Sequence, residues 1–245
     1  MTAEAKPSMN RIIPSINIPY LDREVICFSY PFEGPFNYRD LGKRILDNQT
    51  LKLSLPDGEK TSFLLRAAYC GHKEFQKHQR AVELRDGIME PSYFYLFQIN
   101  TWTNKGLYVE YDPEAIGISG KIDIDRFERQ LERGVTLKNK IRFSKDGGTG
   151  FAPRETYRGG EFTPDEFAKD GVIIARNKVQ GAKNLAEISQ SKYFRIKKPR
   201  SWIIEPENEP IQTVSALGSY DGVRLGFYGV CHGVGLGGCA SGVFS

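Results

Sequence analysis

Apolar and polar positions along the first two hundred residues fall into short elements of two kinds. Residues 24–30 (EVICFSY) are apolar and β-branched enough for a strand, and PFEGP after them predicts a turn. Leu41, Ile45 and Leu46 recur at helical spacing within residues 38–48, which predicts a short helix. Residues 51–55 alternate as a small strand, and Pro56-Asp57-Gly58 reads as a turn. From Thr61 the pattern is helical for about thirty residues, broken at Gly71. Residues 92–103 (SYFYLFQINTWT) carry the richest β signal in the chain. With the turn Asn104-Lys105-Gly106 and residues 107–111 they predict a hairpin at the core of the amino-terminal half.

Beyond the hairpin, residues 123–133 place Ile124, Phe127 and Leu131 on one helical face, closed by Gly134. A short strand is predicted over 141–143. The glycines of residues 145–150 (KDGGTG) lack a Walker lysine and a strand-to-helix context, so they predict a turn. Thr163-Pro164-Asp165-Glu166 has the make-up of a capping box and opens a short helix that runs to Asp170. Residues 172–175 (VIIA) read as a strand or buried turn, residues 179–189 as a second helix, and residues 202–204 (WII) as a strand. Helices followed by short antiparallel strands give an α+β class.

Composition adds limits. The chain has 245 residues, enough for a core without staples, and a formal net charge of +4. Residues 192–200 (KYFRIKKPR) concentrate cations but read as a solvated connector, and nucleic acid is not an expected partner. Residues 1–20 hold Lys6, Arg11 and three prolines with no apolar run of membrane or signal-peptide length, so a cytoplasmic or virion-associated protein is expected. Four cysteines are too few and too spread for a disulfide framework, and Cys27 and Cys70 are expected to be buried thiols. His72 and His78 suit an exposed helical face. Cys231 and His232, adjacent in sequence, would point to opposite faces of a strand, which is poor geometry for a catalytic dyad. No catalytic, cofactor or metal site is expected.

The tail is different in kind. Residues 213–245 contain no Lys, Glu, Gln, Asn, Met, Trp or Pro. Only Asp221 and Arg224 are charged, where about eight charged residues would be usual for that length. Glycine-rich hairpins account for the glycines. They do not account for the loss of Lys, Glu and Gln. The genetic code does: an AAC codon randomised at its first two positions yields Tyr, His, Cys, Gly, Val, Asp and Ser among others, and cannot yield Lys, Glu, Gln, Met or Trp.

With VSALGSYDGVRLGFYG at 214–229 and GCASGVFS at 238–245, the tail resembles the variable proteins of diversity-generating retroelements, most closely their archaeal and archaeal-viral members. The resemblance implies a C-type lectin fold in the carboxy-terminal part, with short antiparallel strands and two helices, preceded by an α+β amino-terminal region. It implies a fixed frame at Ser215, Ala216, Leu217, Arg224, Leu225, Ser241, Gly242 and Val243. Ligand-contacting variable positions are then expected at Ser219, Tyr220, Asp221, Tyr228, Val230, Cys231, His232, Val234, Leu236 and Cys239. Tyr would serve as a rigid anchor, and Ser, Gly and Asp as adaptable polar contacts. The expected organisation is a flexible leader over 1–20, an amino-terminal region over 21–134 and a lectin-like domain over 135–245 whose variable region spans 213–245. The expected function is binding of an unidentified protein or surface ligand. The alternative is an oxidase of the formylglycine-generating type, on the same fold, using Cys231 and Cys239.

Overall fold

The computed structural model describes residues 15–20, 24–48, 51–71, 73–89, 93–120, 122–219, 223–230 and 238–244. In chain order the amino-terminal elements are β1 (Ser15–Pro19), β2 (Val25–Ser29), β3 (Glu33–Phe36), α1 (Tyr38–Leu46), β4 (Leu53–Ser54), α2 (Gly58–Cys70), α3 (Lys73–Lys77) and α4 (Gln79–Met89). The middle of the chain gives β5 (Tyr93–Thr103), β6 (Gly106–Tyr111), α5 (Ile124–Glu132), β7 (Val135–Thr136), β8 (Arg142–Phe143), β9 (Thr149–Pro153) and β10 (Gly160–Glu161). Then come α6 (Pro164–Lys169), α7 (Gly171–Ser189), β11 (Arg200–Ser201), β12 (Ile211–Gly218), β13 (Gly226–Val230), β14 (Gly238–Ala240) and β15 (Val243–Phe244).

β5 is the axis of the larger sheet, whose order is β10-β11-β13-β12-β5-β6-β9-β8-β7. The predicted hairpin forms as β5 and β6, with Thr103 opposite Gly106. It is more than the centre of an amino-terminal half, because its other neighbour is β12 of the tail, antiparallel with Ile211 opposite Trp102 and Leu217 opposite Phe94. Strands from both sides of residue 134 therefore share one sheet. At Phe97 (φ 45°) β5 bulges, and two more of its residues than of β12 lie between the Val214 and Ala216 pairings. An even insertion preserves the alternation of faces. Phe94, Leu96 and Trp102 point to the core shared with α2, α4 and α7, while Tyr95, Phe97 and Ile99 point to a second core with Tyr38, Leu41 and Ile45 of α1.

The tail closes the chain on its own beginning. β15 lies between β2 and β4, and β14 pairs with both β3 and β5. Residues 15–19, within the expected leader, form β1 along the edge of β2, and the PFEGP turn reaches into strand β3.

Several local expectations are corrected. Residues 172–175 are helical: Asp170 caps α7 by accepting from the Val172 and Ile173 amides, so VIIA buries as the first turns of a helix rather than as a strand. A kink at Lys178 (φ 55°) separates this segment from the predicted 179–189 helix. Pro56-Asp57-Gly58 is a helix start, with the Asp57 carboxylate accepting from the Lys60 amide at 2.8 Å. The strand expected at 202–204 sits two residues earlier, as β11. The capping box of α6 is present as predicted, with both the Thr163 and the Glu166 halves made.

Candidate functional site

The buried side of the tail is held by polar groups that the sequence pattern does not announce. Thr213 and Ser215 of β12 face Asn100 of β5, and all three are fully buried. The Asn100 side-chain amide donates to Thr213 Oγ1 at 3.2 Å, and the Trp102 indole donates to the same oxygen at 3.1 Å. Asn100 Oδ1 accepts from Ser215 Oγ at 3.0 Å and from Arg176 Nε at 2.9 Å. The Arg176 guanidinium lies 5.3 Å from the Trp102 ring and 4.7 Å from the Phe227 ring, so aromatic faces on two strands meet the buried cation. Burial pushes its pKa down to about 9, which leaves it charged at neutral pH. Together these groups fix the register of β12 and β13 against the scaffold.

Apart from the partly buried Arg224, the expected frame residues are buried in these strands or beside their ends. Ala216 and Leu217 sit opposite Tyr228 and Phe227. Arg224 makes an ion pair with Glu161, and Leu225 is buried. Ser241 Oγ donates to the Ser29 carbonyl at 2.8 Å, and the Gly242 amide donates to Ser29 Oγ at 3.0 Å. Val243 pairs with Phe28 and Ser54.

On the opposite face of β13, Tyr228 stacks on Trp202 with ring centroids 4.2 Å apart and an interplanar angle of 20°, and meets Tyr93 edge-on at 5.2 Å. The Arg200 guanidinium lies 4.6 Å over the Trp202 ring. Tyr93, Trp202 and Arg200 are half-buried and form the rim of an aromatic platform, with Tyr228 as its 7%-exposed centre. Nothing in the hydrophobic pattern singles out Tyr93, Trp202 and Arg200 as a site. A signal was present in the only Trp near the tail, but it was absorbed by the strand reading of WII.

The expected contact residues divide. Tyr228 is in the platform, Val230 ends β13 opposite Val214, and Cys239 lies in β14 beside Phe94, half-buried and packed against the main core. Ser219 is buried just beyond β12, and its hydroxyl has no hydrogen-bond partner among the described residues. Tyr220, Asp221, Cys231, His232, Val234 and Leu236 lie outside the described residues.

A solved structure described as the accommodation of massive sequence variation in Nanoarchaeota by the C-type lectin fold is similar to this chain. It aligns with 97% of this chain and 99% of its own, at 13% identity and a TM-score of 0.49. No family model matches the chain, and no curated protein matches it.

Among the described residues no group of three His, Cys, Asp or Glu side chains could hold a metal ion, and no helix is long and apolar enough to cross a membrane. Cys27 and Cys70, expected to be buried, are half-buried thiols. The Cys70 thiol is pushed up to about 11, first by burial and then by the nearby Glu187 carboxylate, and is therefore protonated and unreactive at neutral pH.

Proposed function

We propose that this chain is a ligand-binding protein on a C-type lectin-like scaffold, whose carboxy-terminal surface is diversified by retroelement-directed, adenine-specific mutagenesis. The observation that carries the reading is how the tail's residues are partitioned. The frame positions Ser215, Ala216, Leu217 and Val243 are buried in strands, and Leu225 and Ser241 are buried beside strand ends. Segments 220–222 and 231–237, which hold most of the expected contact residues, fall along the chain between those strands. The composition of 213–245 supports the same reading, since it lacks each residue type that an adenine-targeted AAC codon cannot reach.

In this reading the strands supply position and the two segments supply chemistry. The Tyr93-Trp202-Tyr228 platform is a fixed floor carried by the scaffold and β13. Its aromatic rings and the Arg200 guanidinium offer rigid apolar area with a polar edge, the combination that antibody combining sites use. The ligand is a protein or a surface component, and it differs from one tail variant to the next.

A displayed library tests this. Positions 220, 221, 231, 232, 234 and 236 would be randomised together and the members scored for cooperative unfolding and for binding to a panel of protein targets. Most members should keep the parental unfolding free energy within about 0.5 kcal/mol, as surface positions do, and selection should yield target-specific binders. Loss of folding across the library, or no binder against any target, would overturn the reading.

A further inference from the structure

A second cleft lies among the helices, built from α2, α3 and the end of α7, and among the described residues none of its lining comes from the tail. Its volume is about 510 Å³, within the usual range for small-molecule sites, and its lining includes Lys73, Lys77, Lys192, Gln76, Cys70 and Tyr193. Lys192 opens the basic run that the sequence singles out, and the fold brings it beside two lysines more than a hundred residues away.

The floor is rigid. Tyr69 stacks on Phe194 at 5.2 Å and meets Tyr193 edge-on at 5.8 Å. Beneath Tyr193, buried Arg85 lies 4.2 Å from the ring and is pinned there by donating to the carbonyls of Ala68 at 2.7 Å and Gln76 at 2.8 Å. The Tyr193 hydroxyl donates to Gln76 Oε1 at 3.4 Å, and the Gln76 amide donates to the Gly71 carbonyl at 2.7 Å. Lys192 Nζ stands 5.1 Å from the Tyr193 ring centre.

The charge balance is positive. Glu187, the one carboxylate among the described lining residues, is held by Arg66 at 2.6 Å, and Lys77 is weakly engaged by Glu74 at 3.6 Å. Lys73 and Lys192 make no ion pair among the described residues. The protonated Cys70 thiol adds no negative charge.

We propose that this cleft binds a phosphate-bearing small molecule, with Lys73, Lys77 and Lys192 around the phosphate and Tyr193 against the uncharged part. Lysine ammonium groups are compact point charges suited to phosphate, and a ring fixed between Tyr69 and Arg85 offers a flat surface at little entropic cost. The three lysines gather at one cleft of small-molecule size, which favours a small molecule over a nucleic-acid strand.

Calorimetric titration of the full chain with inorganic pyrophosphate, AMP and a short single-stranded RNA tests this. Saturable binding of pyrophosphate or AMP is expected. If AMP binds more tightly than pyrophosphate, Tyr193→Leu should remove the difference, and if pyrophosphate binds as tightly, that substitution should leave its affinity unchanged. Lys73→Ala and Lys192→Ala alter exposed side chains, and each should weaken binding about fivefold, the scale of one charge contact at a protein surface. Glu187→Gln should leave binding unchanged or tighter. The proposal is overturned if neither small molecule binds at about ten millimolar, well above the weakest affinity useful for such ligands. It is equally overturned if the Lys73/Lys192 double variant binds as the parent does, or if the RNA binds and the small molecules do not. The tail segments play no part in these titrations, so their outcome is separate from that of the display experiment.

Discussion

Asp170 joins a backbone task to a titration. Its carboxylate caps α7 through the Val172 and Ile173 amides and accepts from the Arg158 amide at 3.1 Å, all in a buried setting. Burial raises its pKa from 3.8 to about 6, with the three amides and the Arg176 charge opposing the rise. The folded protein thus holds this proton at pH values where the unfolded chain has released it. Between about pH 4 and pH 6 the folded state binds more protons, so Asp170's contribution makes stability fall as pH rises through that window and level off above it. The full span is about 3 kcal/mol. Urea unfolding across this range should show the slope in the parent, and Asp170→Asn, which can still cap, should flatten it. An unchanged slope in Asp170→Asn would remove Asp170 as the cause. None of this is legible in the sequence, where Asp170 reads only as the end of α6: its burial comes from contacts distant along the chain. The same holds for Arg176, which sits in an apolar run and becomes a register-fixing residue only once Asn100, Trp102 and Phe227 surround it.

At the level of elements, the helices were largely legible from amphipathic spacing, and for α6 from its capping box. Asn37, Asp57 and Asp123 also accept from an amide three residues ahead, but an Asp in Pro-Asp-Gly suits a turn as well as a helix start. The VIIA segment was not, because four consecutive apolar residues suit a buried helix turn and a buried strand equally. For the tail strands, the glycines turn out to be required in part by packing. A Cβ on Gly238 would lie 2.3 Å from the Tyr95 ring and 2.9 Å from the Tyr93 carbonyl, and one on Gly229 would lie 2.7 Å from Thr213 Oγ1. Neither neighbour can yield, since Tyr95 is buried in the second core and Thr213 in the Asn100 network. Gly238→Ala should therefore cost about 1–3 kcal/mol, as overpacking does, and appear as a lowered midpoint in thermal unfolding. A parental midpoint would show that β14 is free to shift. So packing accounts for glycines such as Gly229 and Gly238, and the proposed variable surface concerns other residues of the same segment.

Across the whole molecule, the amino-terminal strands serve the tail. β2 and β4 flank β15, β3 and β5 hold β14, and β5 pairs with β12, so both ends of each undescribed tail segment return to strands bonded to the scaffold. That arrangement answers a physical requirement of a diversified surface: the fold must be determined without help from the residues that change. The α+β class and the scaffold hairpin were readable from periodicity. The joining of that hairpin to the tail was not, because strand pairing between residues a hundred positions apart leaves no periodic trace. The central claim is that adenine-directed mutagenesis writes the tail, and the DNA around the gene tests it most directly. Sequencing should find a near-copy of the stretch encoding 213–245, differing at adenines and lying beside a reverse-transcriptase gene, with the differences falling in codons for positions such as 220, 221, 231, 232, 234 and 236 and sparing Leu217, Gly238 and Val243. Flanking DNA with no such copy, or differences spread evenly over frame and variable codons, would contradict the account.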